Sequence, residues 1–370
     1  MNVRNLRKVE WWIPICAIIL CGIGLIALFS ASYDSGLDEF KKQAIWMGVS
    51  IGIMIATMLI DYKILIKLSP ILYGIAIISI IAVLFTKPIS GARSWFVIGN
   101  DLFSFQPAEM AKVFVILFLA YVIFTIQKNN RNEINKFPKL LIILATIAVP
   151  VLLIIIEPDY GTATAYIVAF LVMIFVAGID KKYIITAFAV IIIAVPLIYN
   201  FVLPQHAKSR IDTFLHPESD PKGAGYNILQ SKLAIGAGEI TGMGVLNGNQ
   251  TQLGYLYPKT TDFIFSVIGE EMGFVVACSV IILNVVIITK SIQVAKGVKD
   301  DAGAYVAAGI AGVFLFHTLE NIGMTMGLLP ITGVPLLFVS YGGSSMMTSF
   351  LCLGVLLNIS SQRKNGMFNK

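Results

Sequence analysis

Charge is scarce in this sequence. Asp, Glu, Lys and Arg together supply 13% of its 370 residues, against 57% hydrophobic residues and a mean hydropathy of +0.84. A soluble domain carries about 25% charged residues, so that class is excluded. Cysteine is also sparse. Cys16, Cys21, Cys278 and Cys352 all sit inside apolar runs, without metal-ligand spacing, and read as small packing residues rather than a disulfide framework or a zinc site. No glycine-rich nucleotide loop, metal cluster or Ser-His-Asp order is present. The net charge of +6 does not point to nucleic acid, because the basic residues fall mainly in short loops on one side of the apolar runs.

Those runs are long. Leu140 to Ile156 contains no charge before Glu157, and a helix of that length matches a bilayer's hydrocarbon core. Lipid cannot satisfy an open backbone, so the runs are read as helices. Ten spans are expected, near 12–31, 44–60, 69–86, 107–126, 140–156, 162–178, 183–203, 263–289, 303–327 and 335–359. Arg4, Arg7 and Lys8 precede an apolar run too long for a signal-peptide core, so the first helix is expected to be retained. The reading is a single all-α domain over 1–370, a polytopic membrane helix bundle. Seventeen Lys and Arg flank the N-terminal side and four lie in the short loops opposite, which puts both termini in the cytoplasm. One long extracytoplasmic loop, 204–262, then joins the seventh and eighth spans. It is rich in glycine, and Ala224 to Ala237 is expected as a re-entrant or interfacial helix. No internal repeat of the transporter type is evident.

Ionisable residues in or beside spans are costly and mark candidate sites. Glu109 and Lys112 are three apart on one helical face, behind Pro107 at a first turn. They read equally as a structural ion pair or as a lysine held charged for phosphate, with Arg93 as the alternative phosphate contact. Trp95 reads on composition as a belt aromatic. Asp159, with Gly161 and Thr162, reads first as a turn and helix cap. Asp262 lies where a loop meets a helix and is either an N-cap or a general base. Glu270 and Glu271 adjoin at core depth, so at least one is expected to face the interior beside a cation. His317 and Asn321 share a face four residues apart, and for the histidine packing is the commoner role.

Six ordered motifs resemble one family across nearly the whole chain. They are Gly91-Ala92-Arg93-Ser94-Trp95, Phe105-Gln106-Pro107-Ala108-Glu109-Met110-Ala111-Lys112, Pro158-Asp159-Tyr160-Gly161-Thr162-Ala163, Gln230-Ser231-Lys232-Leu233-Ala234-Ile235-Gly236, Thr261-Asp262-Phe263-Ile264-Phe265 and Ser340-Tyr341-Gly342-Gly343-Ser344-Ser345. The chain is similar to the shape, elongation, division and sporulation (SEDS) membrane proteins of bacteria. Asp220-Pro221-Lys222-Gly223-Ala224-Gly225-Tyr226 and Gln250-Thr251-Gln252-Leu253 resemble the elongation branch.

The resemblance implies a peptidoglycan glycosyltransferase that polymerises lipid II outside the cytoplasmic membrane, for elongation and rod shape. It implies Asp262 as catalytic base. Trp95, Arg93, Gln106, Glu109, Lys112, Asp159, Arg210, Lys259 and Ser344 become substrate-binding or cavity-organising residues. Cations among them would meet the diphosphate leaving group. No cofactor is implied with certainty, and a divalent cation is not legible in the residues. The implied partners are a class B penicillin-binding protein and other membrane proteins of the elongation machinery. The competing readings are a lipid II flippase and a non-catalytic scaffold. Glu157, Tyr160, Asn227, Glu239, Met243 and Leu337 depart from the family's usual residues, and Met243 removes a lysine that could meet the diphosphate.

Overall fold

The computed structural model describes residues 9–88, 93–98, 103–201, 205–221 and 223–362. Its long helices are α1 (Trp12–Ala31), α2 (Asp38–Leu59), α3 (Tyr62–Val83), α4 (Pro107–Gln127), α5 (Phe137–Ile156), α6 (Tyr160–Val176), α7 (Lys181–Phe201), α11 (Ile264–Gly297), α12 (Asp301–Thr325) and α13 (Gly343–Ser361). Shorter helices α8 (Gln205–Leu215), α9 (Ala224–Ala237) and α10 (Asn249–Gln252) occupy the segment between α7 and α11. Eight helices are long and apolar enough to cross a membrane, and α6 is a shorter apolar one. With α7, this gives the expected ten.

Helix α1 shows why such a chain needs lipid. Ile13, Leu20 and Leu28 are buried, while Ile15, Ile18, Ile19 and Ile26 are 46–49% exposed. A helix apolar all round covers the core with one face and leaves the other to hydrocarbon. Burial also ranks the helices. In the membrane-length windows 83% of α12 and 89% of α13 is buried, against 22% of α3, so α12 and α13 form the centre. α13 packs against α2 and α4, and α12 against α4, α6 and α11.

Three sequence readings change. First, Phe96–Ile98 and Phe103–Phe105 form a small antiparallel hairpin, with Phe96 opposite Phe105, in a bundle expected to be wholly helical. Second, the tenth span starts at Gly343, not near 335. Left-handed backbone at Gly327, Gly333 and Phe338 leaves 326–342 irregular, and Pro335 removes a donor. Third, α8 lies in a segment where only α9 was expected. α9 docks on the bundle: Ile228, Ser231 and Ala234 are buried, and the Ser231 hydroxyl meets Ser266 Oγ at 2.6 Å and the Thr325 carbonyl at 2.6 Å.

Helix α11 is broken at Gly273, whose φ is 78°. The break exchanges hydrogen bonds with the loop after α9. Met243 and Gly244 donate to the carbonyls of Glu270 and Glu271, while Phe274 and Val275 donate to those of Glu239 and Ile240. Two carbonyls and two N–H groups at the kink are thereby reused. A Cβ on Gly273 would stand 2.2 Å from Gly242 N, in a backbone conformation L-residues avoid. Gly273→Ala is therefore expected to cost about 1–3 kcal/mol or more, the range for overpacking. Thermal unfolding of the detergent-solubilised protein checks this, and a wild-type midpoint would contradict it.

Candidate active site

Asp262 is half-buried at the end of the bundle where α4, α6, α11 and α13 begin. It is not a helix cap: that position falls on Phe263, which makes no side-chain cap bond. The backbone beneath it is held carbonyl by carbonyl. Tyr341 N–H donates to Thr260 O at 2.9 Å, the Ser340 hydroxyl to Thr261 O at 2.7 Å, and the Asn321 amide to Asp262 O at 3.0 Å. Ser340 Oγ also accepts from Leu336 N–H. The irregular stretch before α13 is thus a frame for the aspartate. At Gly333, φ +76°, a Cβ would find one heavy atom of the described residues within 4 Å, Asp262 Oδ2 at 3.6 Å. The carboxylate borders a space that the missing side chain leaves open.

A buried polar column runs down from this point. Lys112 and Glu109 are 2% and 3% exposed and form an ion pair at 2.7 Å. Lys112 Nζ also lies 2.9 Å from His317 Nε2. An ammonium only donates, so Nε2 accepts, and Nδ1–H donates to Pro335 O at 3.0 Å. The pair therefore reaches the frame through His317, the residue for which sequence favoured packing. Lys112 is enclosed, so it does not offer its charge to a diphosphate at the mouth.

The remaining motifs meet beside the frame. Asp159 caps α6 through Thr162 N–H, as expected, and its other oxygen accepts from Gln106 Nε2 at 2.7 Å. Gln106 N–H donates to Ser344 Oγ at 3.0 Å. Gly161 lets the first turn of α6 approach the frame, because a Cβ there would stand 2.5 Å from Val334 Cγ2 and 3.1 Å from Thr332 O. Trp95 is half-buried at the base of the hairpin. Arg93 is exposed and donates to Leu84 O. Gly91 and Ala92 lie outside the described residues, as does the side chain of Arg210. Lys259, three residues before Asp262, is half-buried and donates to Thr251 O at 2.8 Å.

Glu270 and Glu271 are both buried, but among the described residues neither forms an ion pair. Glu270 accepts from Gln250 N–H, Thr251 N–H and the Thr251 hydroxyl; Glu271 accepts from Ser30 and Gln252. Several neutral donors take the place of the expected cation. Among the described residues no group of three or more His, Cys, Asp or Glu converges as a metal site. An apolar groove of about 400 Å³, lined by Leu171, Phe175, Tyr183 and Ala187, lies towards the α6–α7 turn, at the opposite end from Asp262.

Glu157 sits in the turn between α5 and α6, fully buried, and neither of its oxygens finds a hydrogen-bond partner among the described residues. Burial first, and then the charge of Asp159, push its carboxyl up from 4.5 to about 8; the nearby Ser94 hydroxyl opposes this. An acid raised on folding holds its proton in the native state after the unfolded chain has lost it, so stability falls as pH rises from 4.5 to about 8. Glu157→Gln is expected to remove that decline and raise the unfolding midpoint above neutral pH. Midpoints measured from about pH 5 to pH 9 test this, and parallel curves for the two proteins would contradict it.

The chain is similar to known proteins along almost its whole length. The family described as "cell cycle protein", comprising FtsW, RodA and SpoVE, matches residues 10–365. The chain is 35% identical to the peptidoglycan glycosyltransferase MrdB of Escherichia coli K12, over 92% of this chain and 90% of that protein. It is 34% identical to stage V sporulation protein E of Bacillus subtilis, over 94% and 95%. A solved chain from a peptidoglycan synthase complex that coordinates polymerisation and crosslinking has the same fold, with a TM-score of 0.81 at 24% identity over 97% of this chain and 99% of that one. With ten apolar helices in place and a match from residue 10 to residue 365, this chain belongs to the FtsW/RodA/SpoVE family of membrane proteins.

Proposed function

We propose that this protein is a peptidoglycan glycosyltransferase that polymerises lipid II at the outer face of the cytoplasmic membrane. The observation that carries the mechanism is the open space beside Gly333, bordered by Asp262 Oδ2. An acceptor sugar entering there would present its 4-hydroxyl to a carboxylate on a braced backbone. Asp262 takes the hydroxyl proton as the oxygen attacks the donor's anomeric carbon. The bond from that carbon to the diphosphate breaks, and undecaprenyl diphosphate leaves with the electron pair. The diphosphate bond is already activated, so the transfer needs no nucleotide. Among the cations named from sequence, Lys259 is the one that the chain carries nearest to Asp262 and the support for the leaving group rests on it. Lys112 organises the floor below.

Similarity to a protein named peptidoglycan glycosyltransferase MrdB supports this reading, and the Asp220–Tyr226 and Gln250–Leu253 stretches favour a role in elongation. The fold shared with a chain of a polymerising and crosslinking complex supports a class B penicillin-binding protein as partner. The excess of Lys and Arg in the loops of the opposite end supports an outward-facing Asp262 and cytoplasmic termini. The test is strand synthesis from lipid II by purified protein with its cognate transpeptidase. Glycan polymer on a gel supports the proposal. Translocation of lipid II across vesicles without polymer would replace it with a flippase.

A further inference from the structure

Asn321 lies outside the six motifs, yet it touches both segments that shape the mouth. It is fully buried on α12, and its side-chain nitrogen donates to Asp262 O at 3.0 Å and to Val334 O at 2.9 Å. An amide nitrogen has two hydrogens, and here each has its own carbonyl. Its oxygen, Oδ1, finds no hydrogen-bond partner among the described residues. Such an orphan costs stability, so the side chain is kept for what it donates. The two carbonyls belong to different stretches of chain. One carries the carboxylate, and the other follows Gly333, where the open space begins.

We propose that Asn321 is a positioning residue for glycosyl transfer: its amide ties the Asp262 backbone to Val334 and so sets the width of the space between Asp262 and Gly333. The inference rests on the reading of Asp262 as the base. Two other side chains brace the same frame. Ser340 holds Thr261 O, and His317 holds Pro335 O. Ser340 joins Thr261 O to its own stretch at Leu336 N–H, whereas Asn321 bonds both stretches from a third element, α12. Leucine at 321 has a similar shape and no donor. Aspartate has the same shape, and as a carboxylate would turn an acceptor towards two carbonyls.

The experiment measures kcat and KM for lipid II in the complex with the transpeptidase, for wild type, Asn321→Leu, Asn321→Asp, Asp262→Asn and a control, Asn284→Leu. Asn284 is also buried, in α11; its amide donates to Val280 O in its own helix and accepts from the Thr318 hydroxyl of α12, and it touches neither Asp262 O nor Val334 O. A displacement of about 1 Å at a reacting group costs about 10²-fold. Both Asn321 variants are therefore expected to lose 10-fold or more in kcat per folded molecule. KM should stay within about threefold, since the substrate's remote contacts are untouched. The control should lose midpoint but keep kcat. If one Asn321 variant does not fold, the other carries the test. A folded Asn321 variant with wild-type kcat, while Asp262→Asn is inactive, overturns the positioning role alone. Equal losses of kcat in the Asn284 and Asn321 variants also overturn it. Normal polymerisation by Asp262→Asn overturns the base and this inference with it.

Discussion

Asp262→Asn, purified with its transpeptidase, is expected to make no detectable glycan strand. Removing a general base costs about 10²–10⁴-fold, and polymerisation multiplies the loss, because every added unit needs the same step. Asparagine keeps the shape and the carbonyl that Asn321 holds, so the midpoint of unfolding and the complex with the partner should survive. That separation is the point of the variant. Inactivity with intact folding isolates the proton transfer. Strands made at wild-type rate would remove Asp262 from the chemistry and leave the braced segment a purely structural device.

Lys112→Ala is expected to be the most damaging change in the core. It strands Glu109, whose second oxygen has no hydrogen-bond partner among the described residues, and takes away the donor on His317 Nε2. Breaking a buried pair by removing one member costs about 3–5 kcal/mol, because a charge is left without compensation. Replacing both members, as in Glu109→Met with Lys112→Met, should restore much of that stability. Activity should recover less, since the histidine that holds Pro335 O would still lack its partner. Unfolding midpoints and strand synthesis on the same samples decide the matter. A Lys112→Ala protein with both at wild-type level would show the pair to be dispensable.

The bundle was legible because lipid imposes one rule on every span, and a charge-free run the length of a bilayer has few alternatives to a helix. Glu109 and Lys112 were legible for the same reason: three residues apart on one helix, they had to meet. The frame around Asp262 was not. Residues 335–342 carry enough apolar side chains to read as helix, and only left-handed backbone at Gly333 and Phe338 shows otherwise. Ser340, Asn321 and His317 act on carbonyls up to 79 residues away in the chain, a partnership no local pattern encodes. His317 and Asn321 shared a helical face in the sequence, and that spacing was the one available signal. Glu157 was visible as a departure from the residue the resemblance implies; its full burial without a hydrogen-bond partner among the described residues was not.

The break in α11 at Gly273 has a consequence for how this chain can diverge. All four bonds across the break run from main chain to main chain. The side chains at 240 and 243 take no part in them, and Ile240 and Met243 are exposed, whereas Glu239 holds a left-handed φ of 45°. Isoleucine at 240 and methionine at 243 are thus spellings this loop can change without loosening the join. Its length has no such freedom. Deleting or inserting one residue between Gly238 and Gly244 would move donors opposite donors at the two ends of the join, and no change of side chain could restore the match. Among descendants of this sequence the stretch should wander in composition and stay constant in count.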